Sequence, residues 1–181
     1  LKKDLGKYDP KRFKVAFEDG SVAVLESKSV LPRAFMVYDW EILNGKNNIL
    51  SKLLDKNYPL AKKIILEEKP KVFTSKLEAT SEVKYLEYKE QESTLEVKTN
   101  NDGLLFVSEA YYPDWKAYVD GKETKVYRAD FAFRAIEIPK GVHEVRYLYK
   151  PRSFFNGLKI SVFLSVVAVF GMIYFSLKIR K

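Results

Sequence analysis

The chain has 181 residues, 46% of them hydrophobic and 31% charged, and it carries a net charge of +8. This composition allows one ordinary folded domain or two small ones and excludes a disordered polyelectrolyte. There is no cysteine and a single histidine, His143. A disulfide scaffold, a thiolate zinc site, a cysteine nucleophile and a multi-histidine metal centre are therefore excluded. The twelve tyrosines and twelve phenylalanines favour a β-rich, aromatic-packed domain.

The first region, residues 1–67, has the pattern of a small α+β unit. It begins at Leu1 rather than at methionine, so we expect the chain to be part of a longer protein. Apolar residues at helical spacing predict a helix over Asn47–Leu54. Strand-like runs occupy Phe13–Phe17, Ser21–Glu26, Arg33–Tyr38 and Lys63–Leu66. A charged segment that contains a proline, Glu67–Lys71, joins this region to the next.

The second region, residues 72–151, has the pattern of about seven short strands. Leu104–Val107 is a nearly continuous apolar run, as expected of a central strand. Trp115–Val119 is followed by Asp120-Gly121, a strong signal for a two-residue hairpin turn, and Lys122–Tyr127 is the predicted returning strand. Short strands at this spacing predict a β-sandwich. The predicted fold class is thus mainly β, with a small α+β N-terminal region, a β-sandwich and one C-terminal transmembrane helix.

An uncharged stretch, Ile160–Leu177, predicts a transmembrane helix over residues 158–178. Eighteen helical residues span roughly 27 Å, close to the ~30 Å of the hydrocarbon core of a bilayer. The alternative is a buried helix of a soluble core, which is disfavoured because an all-round apolar helix needs a larger protein to cover it. Cations close both ends of the stretch, Lys159 on one side and Lys178, Arg180 and Lys181 on the other.

These flanking charges predict how the chain sits in a cell membrane. By the positive-inside rule the short C-terminal tail is cytoplasmic and the soluble part is extracytoplasmic, although Lys150 and Arg152 upstream oppose this orientation. The four flanking cations account for half of the net charge, which leaves a mildly basic surface of +4. We therefore expect the lipid bilayer as a partner, and no nucleic acid.

The segment Tyr111-Tyr112-Pro113-Asp114-Trp115 is the most site-like feature of the sequence. Exposed aromatic rings beside a carboxylate are able to stack on sugar rings and to bond their hydroxyls. Tyr111, Tyr112 and Trp115 are therefore the candidate substrate-binding residues, for a glycan. The alternative is core packing at a strand end, with Pro113-Asp114 as a turn, and it is the commoner use of such residues.

The sequence offers no complete catalytic constellation. His143 beside Glu144 fits a sheet face or a turn better than a general base. Asp114, Asp120 and Asp130 lack the spacing of a calcium loop and fit solvated turns. We therefore predict no catalytic residue, no metal ligand and no cofactor in this chain.

Several strings of residues resemble the C-terminal part of YfhO-like bacterial membrane proteins. Ser108–Lys122 is similar to the "yyPgWka-vDGk" signature of that family, and Phe133–Arg146 is similar to its strand-turn-strand "f-av-lp-G-H-V-f". Tyr149–Phe154 resembles the family's lead into its last transmembrane helix, and Leu31–Phe35 matches a segment that follows its membrane bundle. The resemblance covers nearly the whole chain. One departure is Asp114, which stands where glycine is usual.

The resemblance implies that the chain is the C-terminal part of a polytopic membrane protein similar to GT-C-type glycosyltransferases. Such enzymes move a sugar from a polyprenyl-phosphate carrier to an extracytoplasmic acceptor, and their catalytic acid lies in an early outer loop. No residue here matches that loop, so the resemblance implies no catalytic residue in this chain. It does imply two further partners, an N-terminal membrane bundle of the same protein and a cell-surface glycan or lipid-linked sugar.

Two functional hypotheses follow. In the first, the chain is the non-catalytic outer domain and last span of such a glycosyltransferase. In the second, it is a membrane-tethered β-sandwich that binds or scaffolds without any enzymatic activity. A soluble hydrolase is disfavoured because the sequence shows no set of nucleophile, base and orienting group.

Overall fold

The fold is known from a computed structural model that describes residues 8–19, 22–71 and 79–179. Ser21 at the start of a predicted strand, residues 72–78 at the start of the second predicted region, and the tail cations Arg180 and Lys181 lie outside these residues. The described residues form two compact units, which divide between Arg33 and Ala34.

The first unit contains an antiparallel hairpin of strands β1, Phe13–Asp19, and β2, Val22–Ser27. A bulge shifts the register between Val15 and Phe17. Both strands were predicted as strand-like runs, and β1 extends two residues beyond the predicted end.

The second unit contains two sheets and a long C-terminal helix. The five-stranded sheet has the order β10-β9-β13-β7-β6, and the six-stranded sheet has the order β3-β8-β12-β11-β5-β4. Its elements in chain order are β3 Ala34–Val37, β4 Asp39–Ile42, α1 Lys46–Leu53, β5 Lys63–Leu66, β6 Ser81–Tyr88, β7 Glu92–Thr99, β8 Gly103–Val107, β9 Trp115–Val119, β10 Lys122–Thr124, β11 Tyr127–Ala129, β12 Phe133–Ile138, β13 Gly141–Tyr149 and α2 Arg152–Ile179.

The two sheets bury one main apolar core between them, which confirms the predicted β-sandwich. Alternate side chains of β7 and β13, such as Leu95 and Tyr147, pack with alternate side chains of β8 and β12, such as Leu105 and Ile136. The other face of the six-stranded sheet is also apolar, with Leu104 and its neighbours in a second cluster. Strand β8 is consequently buried along its whole length, as its continuous apolar run predicts.

The strands of residues 34–66 belong to the six-stranded sheet of the sandwich, whereas the sequence pattern placed them in a separate region that ends at residue 67. Strand β3 pairs with β8, and β5 pairs with β11. Strands β4 and β5 run parallel, with α1 in the connection between them. These pairings join residues that are far apart in the chain, so local periodicity does not reveal them.

The stretch predicted as one returning strand, Lys122–Tyr127, crosses from one sheet to the other. Strand β10 pairs with β9 in the five-stranded sheet, and β11 pairs with β12 in the six-stranded sheet. The chain changes sheets at Lys125 and Val126. Strands that switch sheets in this way form the corners of β-sandwiches.

Helix α2 has 28 residues and a length of about 42 Å. Within the described ranges it is the one helix that is long and apolar enough to cross a membrane. It begins at Arg152, six residues before the predicted span, so its first turns precede the apolar stretch.

Candidate functional site

The predicted aromatic residues lie at the end of the sandwich from which α2 departs. Trp115 is the first residue of β9, and Tyr111 and Tyr112 lie in the loop before it. The ring of Tyr149, in the last position of β13, lies 5.2 Å from the ring of Trp115 and 6.1 Å from that of Tyr112. Tyr111 and Trp115 line a pocket of about 260 Å³, and the 57% exposed Tyr112 lies outside its lining.

Trp115 also has a role in the sandwich interior. Its ring packs against the main core, and the guanidinium carbon of Arg134 lies 3.8 Å from the ring centroid. A cation this close to an aromatic face is attracted by the ring quadrupole. Trp115 therefore stabilises the core, and only the exposed part of its side chain is able to contact a ligand. Glycan binding by Tyr111, Tyr112 and Trp115 stays a prediction.

Arg134 is a fully buried cation, the second residue of β12. It forms an ion pair with Glu109, and its guanidinium carbon also lies 4.6 Å from the centroid of the Tyr147 ring. Its Nε and Nη1 atoms and the Tyr147 hydroxyl have no hydrogen-bond partner among the described residues. Burial raises the pKa of Tyr147. The alternation of β12 was the available signal for this buried cation, because Arg134 shares the inward-facing parity of Ile136.

Asp114 connects the sandwich to α2. Its backbone carbonyl accepts a hydrogen bond from the Lys150 N–H at 3.1 Å, and its carboxylate Oδ2 accepts one from the Arg152 N–H at 3.2 Å. The carboxylate therefore caps the first turn of α2 from a loop that is distant in the chain. A negative charge at this end of a helix also interacts favourably with the helix dipole. The aspartate at the position where the resembling family has glycine thus has a structural role at this junction.

Several cations lie around the pocket that Tyr111 and Trp115 line. Lys116 forms an ion pair with Glu123, and the Nζ atom of Lys125 lies 2.5 Å from the Glu68 carboxylate. The pKa of Glu123 is lowered, first by its hydrogen bond with Lys116 and then by the charges of Lys116, Lys150 and Arg152. We call this cavity the junction pocket. Its lining is Tyr111, Pro113, Trp115, Lys116, Glu123, Thr124, Lys125, Val126 and Arg152.

His143 and the other aspartates stabilise turns. The His143 Nδ1 atom lies 2.6 Å from Asp120 Oδ2, and the other carboxylate oxygen accepts the Glu144 N–H at 2.9 Å. Asp120 and Gly121 have positive φ angles of 50° and 78°, as the predicted hairpin turn requires. The hydrogen bond with His143 is the main cause of a lowered pKa for Asp120.

Asp130 lies apart from these residues, in a buried turn. It is 7% exposed, and its Oδ1 atom accepts the Ile65 N–H at 2.7 Å. Burial raises its pKa to about 6, against the lowering effect of that hydrogen bond. Across residues 8–19, 22–71 and 79–179, the acidic and histidine side chains form no group of three that would hold a metal ion.

Comparison with known proteins gives one match. A family model described as "Bacterial membrane protein YfhO" matches residues 45–161, which is more than half of the chain. No curated protein and no solved structure matches the chain.

Proposed function

This chain belongs to the YfhO family of bacterial membrane proteins, and we propose that it forms the non-catalytic extracytoplasmic domain and last span of a GT-C-like glycosyltransferase. The complete protein would move a sugar from a polyprenyl-phosphate carrier to a cell-surface acceptor. The observation that carries the proposal is the family match together with a β-sandwich tied directly to an apolar helix. The glycosyl-transfer part of the proposal rests on the resemblance of the aromatic segment, and of the strands after it, to YfhO-like proteins.

The junction at Asp114 supports a positioning role for the sandwich. Two hydrogen bonds and the ring contacts of Tyr149 hold the loop before β9 against the end of β13 and the first residue of α2. A sandwich held in this way keeps its orientation relative to the membrane surface. In the proposed enzyme it would cover the membrane-embedded catalytic site or present the acceptor to it, with the sandwich outside the cell and the cationic tail inside.

The residues on one face of α2 favour packing against other membrane helices, which supports a membrane bundle of the same protein as a partner. This face carries five small residues around Leu164, and small residues let helix backbones approach closely in a bilayer. Large side chains such as Phe163 and Phe170 lie on the opposite face by helical periodicity. The small residues are Gly157, Ser161, Ser165, Ala168 and Gly171.

Tyr112 is the best place to test acceptor binding. Its ring is exposed, whereas Trp115 also packs on Arg134, so a Trp115→Ala variant would mix loss of binding with loss of stability. We expect Tyr112→Ala to raise the KM for a glycan acceptor severalfold and to cost about 1 kcal/mol of stability at most, through the lost ring contact with Tyr149. Tyr118→Ala, near the other end of β9, is the matched control.

The experiment for the proposal is sugar transfer by membranes that contain the whole open reading frame of this chain. We expect labelled sugar to move from a polyprenyl-phosphate-linked donor to the acceptor, and transfer to stop when a carboxylate in the first outer loop of the upstream spans is neutralised. A reading frame with only a signal peptide before Leu1, or membranes without transfer, would favour the second candidate. That candidate is a membrane-tethered binding or scaffold module.

A further inference from the structure

We propose that the junction pocket binds the phosphate group of an anionic lipid from the leaflet in which α2 begins. The proposal rests on where the pocket lies, on the charge of its lining and on its size. It goes beyond the proposed function, because it needs a membrane around α2 and does not need sugar transfer.

The pocket lies at the depth of lipid headgroups. Arg152 is both a lining residue and the first residue of α2, and the predicted span begins six residues later, at Leu158. Six helical residues rise roughly 9 Å, which is comparable with the ~5–8 Å of polar headgroup region on each side of a bilayer. The exposed rings of Phe154 and Phe155 lie between these two points, where aromatic residues favour the membrane interface.

The lining favours an anion. It contains three cations, Lys116, Lys125 and Arg152, and one carboxylate, Glu123. Lys150 adds a fourth cation beside it, close enough to lower the pKa of Glu123. Glu123 and Glu68 already neutralise two of these cations, Lys116 and Lys125. Asp114 adds a third carboxylate, which accepts the Arg152 backbone N–H. The side chains of Arg152 and Lys150 form no ion pair with another described side chain, so the four cations around the pocket exceed the three carboxylates by one.

The donor types in the pocket suit phosphate. A guanidinium donates two parallel hydrogen bonds to phosphate oxygens, and a lysine ammonium supplies a compact charge. Tyr111 and Thr124 line the same cavity, and each carries a hydroxyl group that is able to donate a hydrogen bond. A volume of about 260 Å³ is smaller than an ordinary ligand pocket. It therefore fits a phosphate-bearing headgroup better than an oligosaccharide.

Glu123 marks the position that the lipid phosphate would take. Its carboxylate accepts a hydrogen bond from the Lys116 ammonium, and the charges of Lys150 and Arg152 also act on it. A lipid phosphate would replace this carboxylate on Lys116 and gain Arg152 as a second partner. We expect the binding to be modest in the native chain, because the phosphate competes with a carboxylate of the protein itself.

The test is lipid binding by the intact chain in a neutral detergent, followed by native mass spectrometry. The probes are short-chain phosphatidylglycerol and phosphatidylcholine, with inorganic phosphate as a competitor. We expect phosphatidylglycerol to bind more tightly than phosphatidylcholine. Lys116→Gln and Arg152→Gln should each weaken its binding about fivefold, the effect of one interfacial cation. Lys140→Gln, at the opposite end of β13, removes an equal charge and should change nothing.

Glu123→Gln separates loss of binding from loss of folding. It removes the competing carboxylate, so we expect it to tighten phosphatidylglycerol binding several-fold, and a misfolded variant would not gain affinity. Equal binding of the two lipids, a loss in Lys140→Gln as large as in Arg152→Gln, or weaker binding in Glu123→Gln would each overturn the proposal. Full displacement by micromolar inorganic phosphate would overturn the lipid source and identify a free-phosphate site. None of these readouts depends on sugar transfer, so this inference and the proposed function fail independently.

Discussion

Replacing Glu109 with alanine is expected to destabilise the sandwich, because it leaves the charge of Arg134 buried without a counter-ion. The Arg134 side chain is 0% exposed, and Glu109 is its ion-pair partner. Removing one member of a buried pair costs about 3–5 kcal/mol. The Glu109 side chain is 17% exposed, so some water reaches the pair, and we expect a loss near the lower end, about 3 kcal/mol. The contacts of Arg134 with Trp115 and Tyr147 remain in the variant and limit the loss.

The second arm of this prediction removes both charges. In Arg134→Met with Glu109→Gln, no buried charge is left uncompensated, and a flexible apolar side chain fills the space between the two rings. Arg134 has two nitrogen atoms without hydrogen-bond partners among the described residues, so the double variant also removes unsatisfied donors. We expect its free energy of unfolding to lie within about 1 kcal/mol of the native value.

The assay is urea unfolding of the intact chain in detergent micelles, followed by tryptophan fluorescence and near-ultraviolet circular dichroism. Micelles keep α2 helical, so the transition reports on the sandwich. A Glu109→Ala loss below about 1 kcal/mol would refute the argument that Arg134 is a buried charge that depends on Glu109. A double variant as unstable as the single variant would refute it equally, because packing and not charge would then explain the loss.

Three further changes test other parts of the structure, each by the same unfolding assay. Burial raises the pKa of Asp130 from its ordinary 3.8 to about 6. The folded state then holds a proton that the unfolded chain releases, and stability falls as the pH rises from about 4 to about 6. Asp130→Asn should abolish that slope. Asp114→Ala removes the carboxylate that caps Arg152 and should cost about 1 kcal/mol. Gly103→Ala would place a methyl carbon 2.8 Å from the ring of Tyr38 and should cost about 1–3 kcal/mol.

The controls for these three changes are also chosen from the structure. Asp102→Asn removes an exposed carboxylate at the other end of β12 and should leave the pH slope intact. Asp114→Asn keeps an acceptor oxygen and should recover most of the capping loss. The hydroxyl of Tyr38 lies 2.8 Å from Thr99 Oγ1, which restrains the ring that would have to move for Gly103→Ala. An unchanged slope in Asp130→Asn, or no loss in either of the other variants, would contradict the corresponding contact.

The local pattern of the sequence was enough to predict most elements and the fold class. The uncharged stretch Ile160–Leu177 predicts the apolar helix, and the apolar run Leu104–Val107 predicts a strand buried on both faces. Asp120-Gly121 predicts the turn between β9 and β10. Each of these features depends on residues within a few positions of one another, through helix length, side-chain alternation or backbone preference. The aromatic segment before β9 was likewise recognisable as a candidate site.

The partition of the strands between the two sheets was decided only by the tertiary structure. Hydrogen bonds join Asp130 to Ile65 and Tyr38 to Thr99, across more than 60 residues of chain in each case. The same holds for the site. Trp115 lies over the buried guanidinium of Arg134, and the start of α2 is capped by Asp114. Such contacts depend on which strands meet and in which register, and a local pattern carries no information about either.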